Sequence, residues 1–290
     1  MSNISLTASM RSNLLSLQNT QSLMDITQER LSTGKKVNSA IDNPSSYYTA
    51  QSLTNRASDL SSLLDSMGQA IQTIKAADEG IEAITTFAQQ AKAVAQSAAD
   101  TKDSAERKSL MDQFNAILTQ INDVAKDAGY KGVNLLTGGN LDVKFNEGGS
   151  SKLQIKGVKA DTTVDADDGG LGIAAGADWG KVADAAAGAT AEEIAAQDAK
   201  IKTAMEAVDK AIATLRTWSS EFGNNYSIVQ SREEFTENLI NVLTEGADKL
   251  TLADMNEESA NMLALQTRQQ LAINSLSLAS QAAQSVLSLF

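Results

Sequence analysis

The last part of the chain carries a stripe of apolar residues that a single helix cannot bury. Its members recur at alternating steps of three and four residues, which places them on one face of a helix. They are Met262, Leu265, Ala272, Leu276, Ala279, Ala283, Val286 and Phe290, with Gln269 as the polar member. No charged residue follows Arg268. We therefore expect a helix enclosed on most sides, by partners that this chain alone does not supply.

The beginning of the chain carries a matching stripe. Its members, related by steps of four and three residues, are Met10, Leu14, Leu17, Gln21, Met24, Gln28 and Leu31. Arg11 is the one charged residue before Asp25. An antiparallel pairing of residues 10–31 with residues 262–290 would close both stripes. The sequence therefore predicts that the two ends of the chain meet as a coiled coil.

The composition favours long helices over the core of a globular enzyme. Of the 290 residues, 42% are apolar but only 4% are aromatic, and Pro44 is the single proline. Abundant Ala, Gln, Ser and Leu with almost no proline are typical of uninterrupted helices. We predict a mainly α fold, a long antiparallel helical rod built from both termini, with a small β-containing insert at the tip.

Charge and missing residue types exclude several functions. The net charge of −12 argues against nucleic acid as a partner, because phosphate binding requires clustered Lys and Arg. The chain has neither Cys nor His, which removes thiolate catalysis, zincin motifs and Ser-His-Asp triads. We expect no enzyme activity, catalytic residue, cofactor or metal. No stretch suits membrane insertion, and no cleavable secretory signal is visible.

Local signals divide the first half into three helices. Gly34 is placed to end the first helix, and Asn43 with Pro44 to start the second, which should run from about residue 45 to 99. Ser104 is the predicted cap of a third helix that ends at Gly129. The apolar positions of these helices are predicted to be core.

The chain changes character after Gly138. Residues 141–145 and 152–158 alternate like strands, with the turn at residues 146–151. An acidic cluster follows at Asp161, Asp165, Asp167 and Asp168. Calcium binding is one interpretation, but the spacing lacks the order and distal Glu of an EF-hand loop. A solvated acidic turn is the favoured alternative.

Helices resume in the last hundred residues. The acidic residues Glu192 and Glu193 after Thr190 suit a helix start. We expect this helix to end near Gly223, with a new helix beginning after Asn225. The predicted order is therefore helices, β-containing insert, helices.

Three separated blocks, taken in order, resemble bacterial flagellin. They are ERLSTGKKVNSAIDNPSSYYTAQSL at 29–53, QFNAILTQINDVAKDAGYKGVNLLTG at 113–138, and LADMNEESANMLALQTRQQLAINSLSLASQAAQSVLSLF at 252–290. The first is similar to the E-R-L-S-[ST]-G and N-S-A-x-D pattern of that family. The last is similar to its D-M-x-x-E, T-[KR]-x-Q-x-L and V-L-x-L steps. The resemblance extends from end to end of the chain, except for about residues 140–189.

The resemblance implies a layered organisation. Residues 1–43 and 251–290 would form an inner terminal coiled-coil layer, and residues 44–138 and 190–250 a helical rod layer. Residues 139–189 would form a variable surface insert, too short for a large outer domain. The implied assembly interface consists of Met10, Leu14, Leu17, Met24, Leu31, Met262, Leu265, Ala272, Leu276, Ala279, Val286 and Phe290.

The resemblance also implies a function. The chain would be a structural subunit, exported unfolded and self-assembled into the helical filament of the bacterial flagellum for swimming motility. Its localisation would be extracellular. Its partners would be further copies, sister flagellins, the flagellar export apparatus and a chaperone, and the filament cap and hook-junction proteins.

Three alternatives remain open. A flagellin-like protein of the hook–filament junction would share the terminal helices without polymerising alone. An enzyme of metallopeptidase type could be carried in the insert, but the absence of His argues against it. A generic coiled-coil scaffold would not explain why both ends of the chain are almost free of charge.

Overall fold

The computed structural model describes residues 8–163, 169–180 and 191–287. Within these ranges the chain is mainly α, as the sequence predicts, with one small antiparallel sheet. The elements are α1 (Ala8–Thr33), α2 (Pro44–Asp100), α3 (Ser104–Asp127), β1 (Leu141–Lys144), β2 (Lys152–Ile155), α4 (Ala191–Thr251) and α5 (Met255–Leu287). No helix of the described ranges has the length and apolar content needed to cross a membrane.

Two helix boundaries follow the sequence signals. Gly34 has a φ of 71°, and its N–H donates to the carbonyl of Arg30 at 2.8 Å, which ends α1 in the left-handed conformation that glycine adopts readily. At the start of α2, the Asn43 side chain accepts from the N–H of Ser46 at 3.1 Å. Pro44 is the first helical residue, where its missing N–H is not needed.

The cap of α3 differs from the prediction. Asp103, not Ser104, is the capping residue, and its carboxylate accepts from the N–H groups of Ala105 at 2.8 Å and Glu106 at 3.0 Å. The carboxylate adds a negative charge at the positive end of the helix, which favours it over a hydroxyl. The Ser104 hydroxyl instead donates to the carbonyl of Gly180.

The predicted break at residues 223–225 is wrong. α4 continues through it as one helix of 61 residues. A glycine inside a helix costs only about 1 kcal/mol relative to alanine, and that cost is smaller than the gain from burying large neighbours. Phe222 and Val229 are 2% and 0% exposed, so packing on both sides of the glycine keeps the chain helical.

The described chain divides into two compact units. One consists of residues from Met1–Ala57 and Asn241–Phe290, and the other of Ser58–Ile240. The core of the second unit combines α2, α3 and α4 with the insert. Within the insert, β1 and β2 pair antiparallel with Leu141 opposite Ile155. Each strand is shorter than predicted, because β1 ends at Lys144 and β2 at Ile155.

The insert is anchored on α3. The Trp179 ring packs on Phe114 with centroids 4.9 Å apart, and it is 1% exposed. Asn115 of α3 bonds both backbone groups of Gly176, accepting at 2.7 Å and donating at 3.0 Å. Trp179 is therefore part of the core, as are Leu171 and Ile173 of the same segment. Of the acidic cluster, Asp165, Asp167 and Asp168 lie outside the described residues; within them, no group of three potential metal ligands occurs.

Gly80 allows α2 to pack closely on the segment that follows α3. A Cβ atom at this buried position would lie 2.6 Å from Cδ1 of Leu136 and 2.7 Å from Cβ of Ala128. Those distances are shorter than any real contact between carbon atoms, so another residue would force the helix and its neighbours apart. Gly68, on the same helix, has no such constraint, because a Cβ there would meet only the Glu233 carboxylate at 3.7 Å.

We predict opposite effects for the same substitution at these two positions. Gly80→Ala should lower the free energy of unfolding by about 1–3 kcal/mol through overpacking. Gly68→Ala should raise it by about 0.5–1 kcal/mol, because alanine favours the helix. Urea unfolding followed by circular dichroism measures both. Equal shifts for the two variants would contradict the close packing at Gly80.

Candidate assembly surface on the terminal helices

Helices α1 and α5 pair side by side in antiparallel orientation. The Arg30 guanidinium contacts the Glu258 carboxylate at 2.9 Å, and the Gln269 side chain donates to that of Gln21 at 2.7 Å. As residue numbers fall along α1 they rise along α5, which is the pairing that the stripes predict. The polar contacts fix the register, because sliding by one turn would separate the charged partners.

The predicted stripe of α5 faces α1. Leu265 is buried, and four further members are half-buried, namely Met262, Ala272, Leu276 and Ala279. Val286 and Phe290 lie outside the residues whose side chains the structure describes. The polar member, Gln269, is also half-buried. The spacing of three and four residues therefore identifies the covered face of the helix.

On α1 the covered face coincides with the predicted stripe at every second position. Met10 is buried, and Leu17, Met24 and Leu31 are half-buried. Leu14, by contrast, is 38% exposed.

The alternate positions of the α1 face are occupied by polar residues that sequence reasoning missed. They are Asn13, Thr20 and Thr27, and the two threonines are 3% and 6% exposed. The Thr20 hydroxyl donates to the carbonyl of Ser16 at 2.8 Å, so it can be buried without losing a hydrogen bond. A threonine repeat seven residues apart was the available signal.

The pair leaves large apolar residues exposed on the outward sides of both helices. On α5, Leu263, Leu271 and Leu278 are 66%, 64% and 67% exposed. At 100° per residue they lie on the side of the helix opposite the stripe that contacts α1. The exposed apolar residues of α1 are Leu14, Leu15, Leu23 and Ile26. We call these seven residues the outer terminal face.

Backbone hydrogen bonds join the segment that follows α1 to the segment that precedes α5. The Lys36 N–H donates to the carbonyl of Thr251 at 2.7 Å, and that of Ala253 to Gly34 at 3.0 Å. The next turn is ordered by Asp42, whose carboxylate accepts from the N–H groups of Ser39 and Asn38. The Ser39 N–H, followed by that of Asn38, lowers the pKa of Asp42 below its usual value, because both bonds favour the charged form.

Comparison with known proteins identifies the family to which the chain belongs. Residues 4–140 match the bacterial flagellin N-terminal helical region, and residues 205–290 match the C-terminal helical region. The chain belongs to the bacterial flagellin family. Flagellin FljM of Caulobacter vibrioides is 30% identical over 283 residues, which cover 96% of this chain and 95% of that protein. A flagellin of Brucella melitensis is 29% identical with the same coverage, and flagellin C of Rhizobium meliloti is 28% identical over 92% of each chain.

Family membership confirms the resemblance seen in the sequence. Flagellins are structural proteins, and this chain is a subunit of the flagellar filament. The two matched regions carry the terminal pair and most of the helical core, whereas residues 141–204 lie outside both. The outer terminal face thus belongs to the regions that this chain shares with the family.

We predict that the terminal pair depends on the contact of Arg30 with Glu258. The Glu258 side chain is 9% exposed, so Arg30→Met would leave a largely covered carboxylate without its cation. We expect a loss of about 1–3 kcal/mol in the free energy of unfolding, as for other unsatisfied buried groups. Urea unfolding and hydrogen exchange in α1 and α5 measure it.

Lys249→Met is the matched control. It also removes one cation from an ion pair, but Lys249 and Glu245 are 74% and 66% exposed. Exposed pairs contribute about 0–1 kcal/mol, so its effect should be small. An Arg30 variant no less stable than the Lys249 variant would show that the ion pair does not hold α1 on α5.

Proposed function

We propose that this flagellin polymerises through its outer terminal face. The observation that carries the proposal is the set of leucines more than 60% exposed on the side of α5 opposite α1. Fully burying one leucine contributes about 1.5–3 kcal/mol, so copies that cover these side chains gain stability at every subunit. Surfaces of this kind on a soluble protein mark interaction sites.

The placement of charge supports the same conclusion. Each copy has a net charge of −12, so copies repel one another unless they meet on surfaces without charge. No charged residue follows Arg268, and Leu271 and Leu278 lie in that uncharged stretch. A contact between two different surfaces of the same protein, repeated from copy to copy, gives an open helical polymer.

The layered organisation belongs to this proposal. Residues 1–43 and 251–290 supply the inner layer of the filament, residues 44–138 and 190–250 the helical layer around it, and residues 139–189 the surface insert. Within the inner layer, the stripe residues that face each other in the pair orient the helices, and Leu14 contacts a neighbouring copy. The protein acts mechanically and is not an enzyme.

The remaining partners follow from assembly outside the cell. The subunit is exported unfolded through the flagellar secretion apparatus with the help of a chaperone, and it adds to a filament bounded by cap and hook-junction proteins. Sister flagellins can share the filament. In support, the relatives from Caulobacter vibrioides include the separate flagellins FljM, FljO and FljK.

The experiment compares truncations at two adjacent exposed positions of α5. Leu271→Ala should raise the concentration needed for polymerisation about tenfold, since a loss of about 1.4 kcal/mol per subunit changes an equilibrium constant by that factor. Gln270→Ala changes no apolar contact and should stay within about twofold of the original protein. Sedimentation and electron microscopy measure polymer, and circular dichroism checks that the monomers are equally helical.

The outcomes separate the candidates. Filaments of Leu271→Ala at the original concentration would show that the outer terminal face is not a subunit contact. Failure of the unsubstituted protein to polymerise by itself under any filament-forming condition would favour a protein of the hook–filament junction.

A further inference from the structure

Helix α4 carries a row of exposed residues on the side that faces away from the core of the Ser58–Ile240 unit. Five exposed positions follow one another at steps of four, three, four and three residues. They are Asn224, Ile228, Ser231, Phe235 and Asn238. Large apolar residues thus alternate with small uncharged ones along about 21 Å of helix, at 1.5 Å per residue. We call these five residues the outer seam.

The outer seam is distinct from the face that α4 uses within the chain. The inward side is marked by Phe222, Val229 and Thr236, which recur every seven residues and are 2%, 0% and 2% exposed. Ile228 and Phe235 also lie seven residues apart, but they are 46% and 57% exposed. At 100° per residue the two series lie about 110° apart around the helix. The same helix therefore carries one covered and one uncovered coiled-coil stripe.

The surface around the outer seam is concave, so it can accept side chains of a partner. Ile228 and Phe235, together with Ser227, Ser231 and Arg232, line an open hollow of about 480 Å³. The Arg232 guanidinium is held 5.3 Å from the centre of the Phe145 ring, which keeps its charge turned toward the insert. Large residues alternating with small ones give the knobs and holes into which a second helix packs.

We propose that the outer seam of α4 packs against a second copy of this chain in the filament. The spacing of four and three residues calls for a helical partner, and a filament subunit is surrounded by helical copies of itself. The seam positions carry no charge although each copy has a net charge of −12, so this strip permits close approach of copies that otherwise repel. The inference rests on the proposed polymerisation but concerns a different contact from the outer terminal face.

The small polar residues determine the character of the contact. Asn224, Ser231 and Asn238 limit the apolar area, so a single seam contact is weak, and its strength comes from repetition along the polymer. Polar groups at seam positions also favour one register of the two helices over others. The seam therefore aligns neighbouring copies, whereas the outer terminal face supplies most of the buried apolar area.

The first test compares two variants. Each variant adds one negative charge, at one of two adjacent exposed residues. Ser231→Glu places the carboxylate within the seam, where covering by a second copy would remove it from water. Gln230→Glu places the same charge one residue away, outside the seam. We expect Ser231→Glu to raise the concentration needed for polymerisation at least about tenfold and Gln230→Glu to change it less than about threefold. Equal effects of the two substitutions would overturn the proposal.

The second test measures covering directly and does not require a variant that fails to polymerise. Because the chain has no cysteine, Ser231→Cys introduces a single thiol. Maleimide should alkylate it rapidly in monomers and at least about tenfold more slowly in filaments, since a thiol packed in a helical seam is inaccessible. Unchanged reactivity in well-formed filaments would refute the seam contact while leaving polymerisation through the terminal helices intact. If the unsubstituted protein forms no filaments, both the seam contact and the proposed polymerisation would be contradicted.

Discussion

The pairing of α1 with α5 is the interaction on which the proposed polymerisation depends, because it joins the first and last helices of a chain of 290 residues. The pair is only partly hydrophobic. Thr20, Thr27 and Gln269 occupy positions in its seam, and Glu258 is held by Arg30. Such groups define the register at the expense of apolar burial. The result is a defined two-helix element that still leaves leucines uncovered.

The unit of Ser58–Ile240 is stabilised differently. The last part of its α2 helix presents small residues to the core, with Ala88, Ala91, Ala95 and Ala98 all 0% exposed. Small side chains let neighbouring backbones approach, and the larger residues of α3 and the insert fill the space between them. One charged group is included: Arg107 is 2% exposed and contacts the Thr101 carbonyl at 2.6 Å and the Asp198 carboxylate at 2.5 Å. The satisfied guanidinium ties the start of α3 to α4.

The sequence predicts the helices and half of the α1 face but not the polar half. Met10, Leu17, Met24 and Leu31 are common to both possible orders of three and four steps, so periodicity alone does not choose between Leu14 and Asn13. Burial of Thr20 depends on a hydroxyl that bonds its own helix, which a hydrophobic pattern does not register. Periodicity therefore identifies the side of the helix more reliably than the individual residues.

Long-range packing explains the other differences. Gly223 with two asparagines is a strong local signal for a helix end, yet burial of Phe222 and Val229 keeps α4 continuous. The insert gives local signals for two strands, but none for the bonds of Asn115 to Gly176 or of Asn122 to Thr162 on α3. Side-chain amides that recognise a distant backbone leave no periodic trace in the sequence.

The two proposed contact surfaces share one physical property, which is apolar side chains set among uncharged residues on a strongly acidic protein. On the outer terminal face the neutral stretch follows Arg268. On the outer seam Ile228 and Phe235 alternate with Asn224, Ser231 and Asn238, which are uncharged. Electrostatic repulsion between copies suppresses encounters elsewhere on the surface. The distribution of charge thus acts together with apolar burial to select which surfaces of the subunit meet, and repetition of those contacts makes a filament out of individually weak interactions.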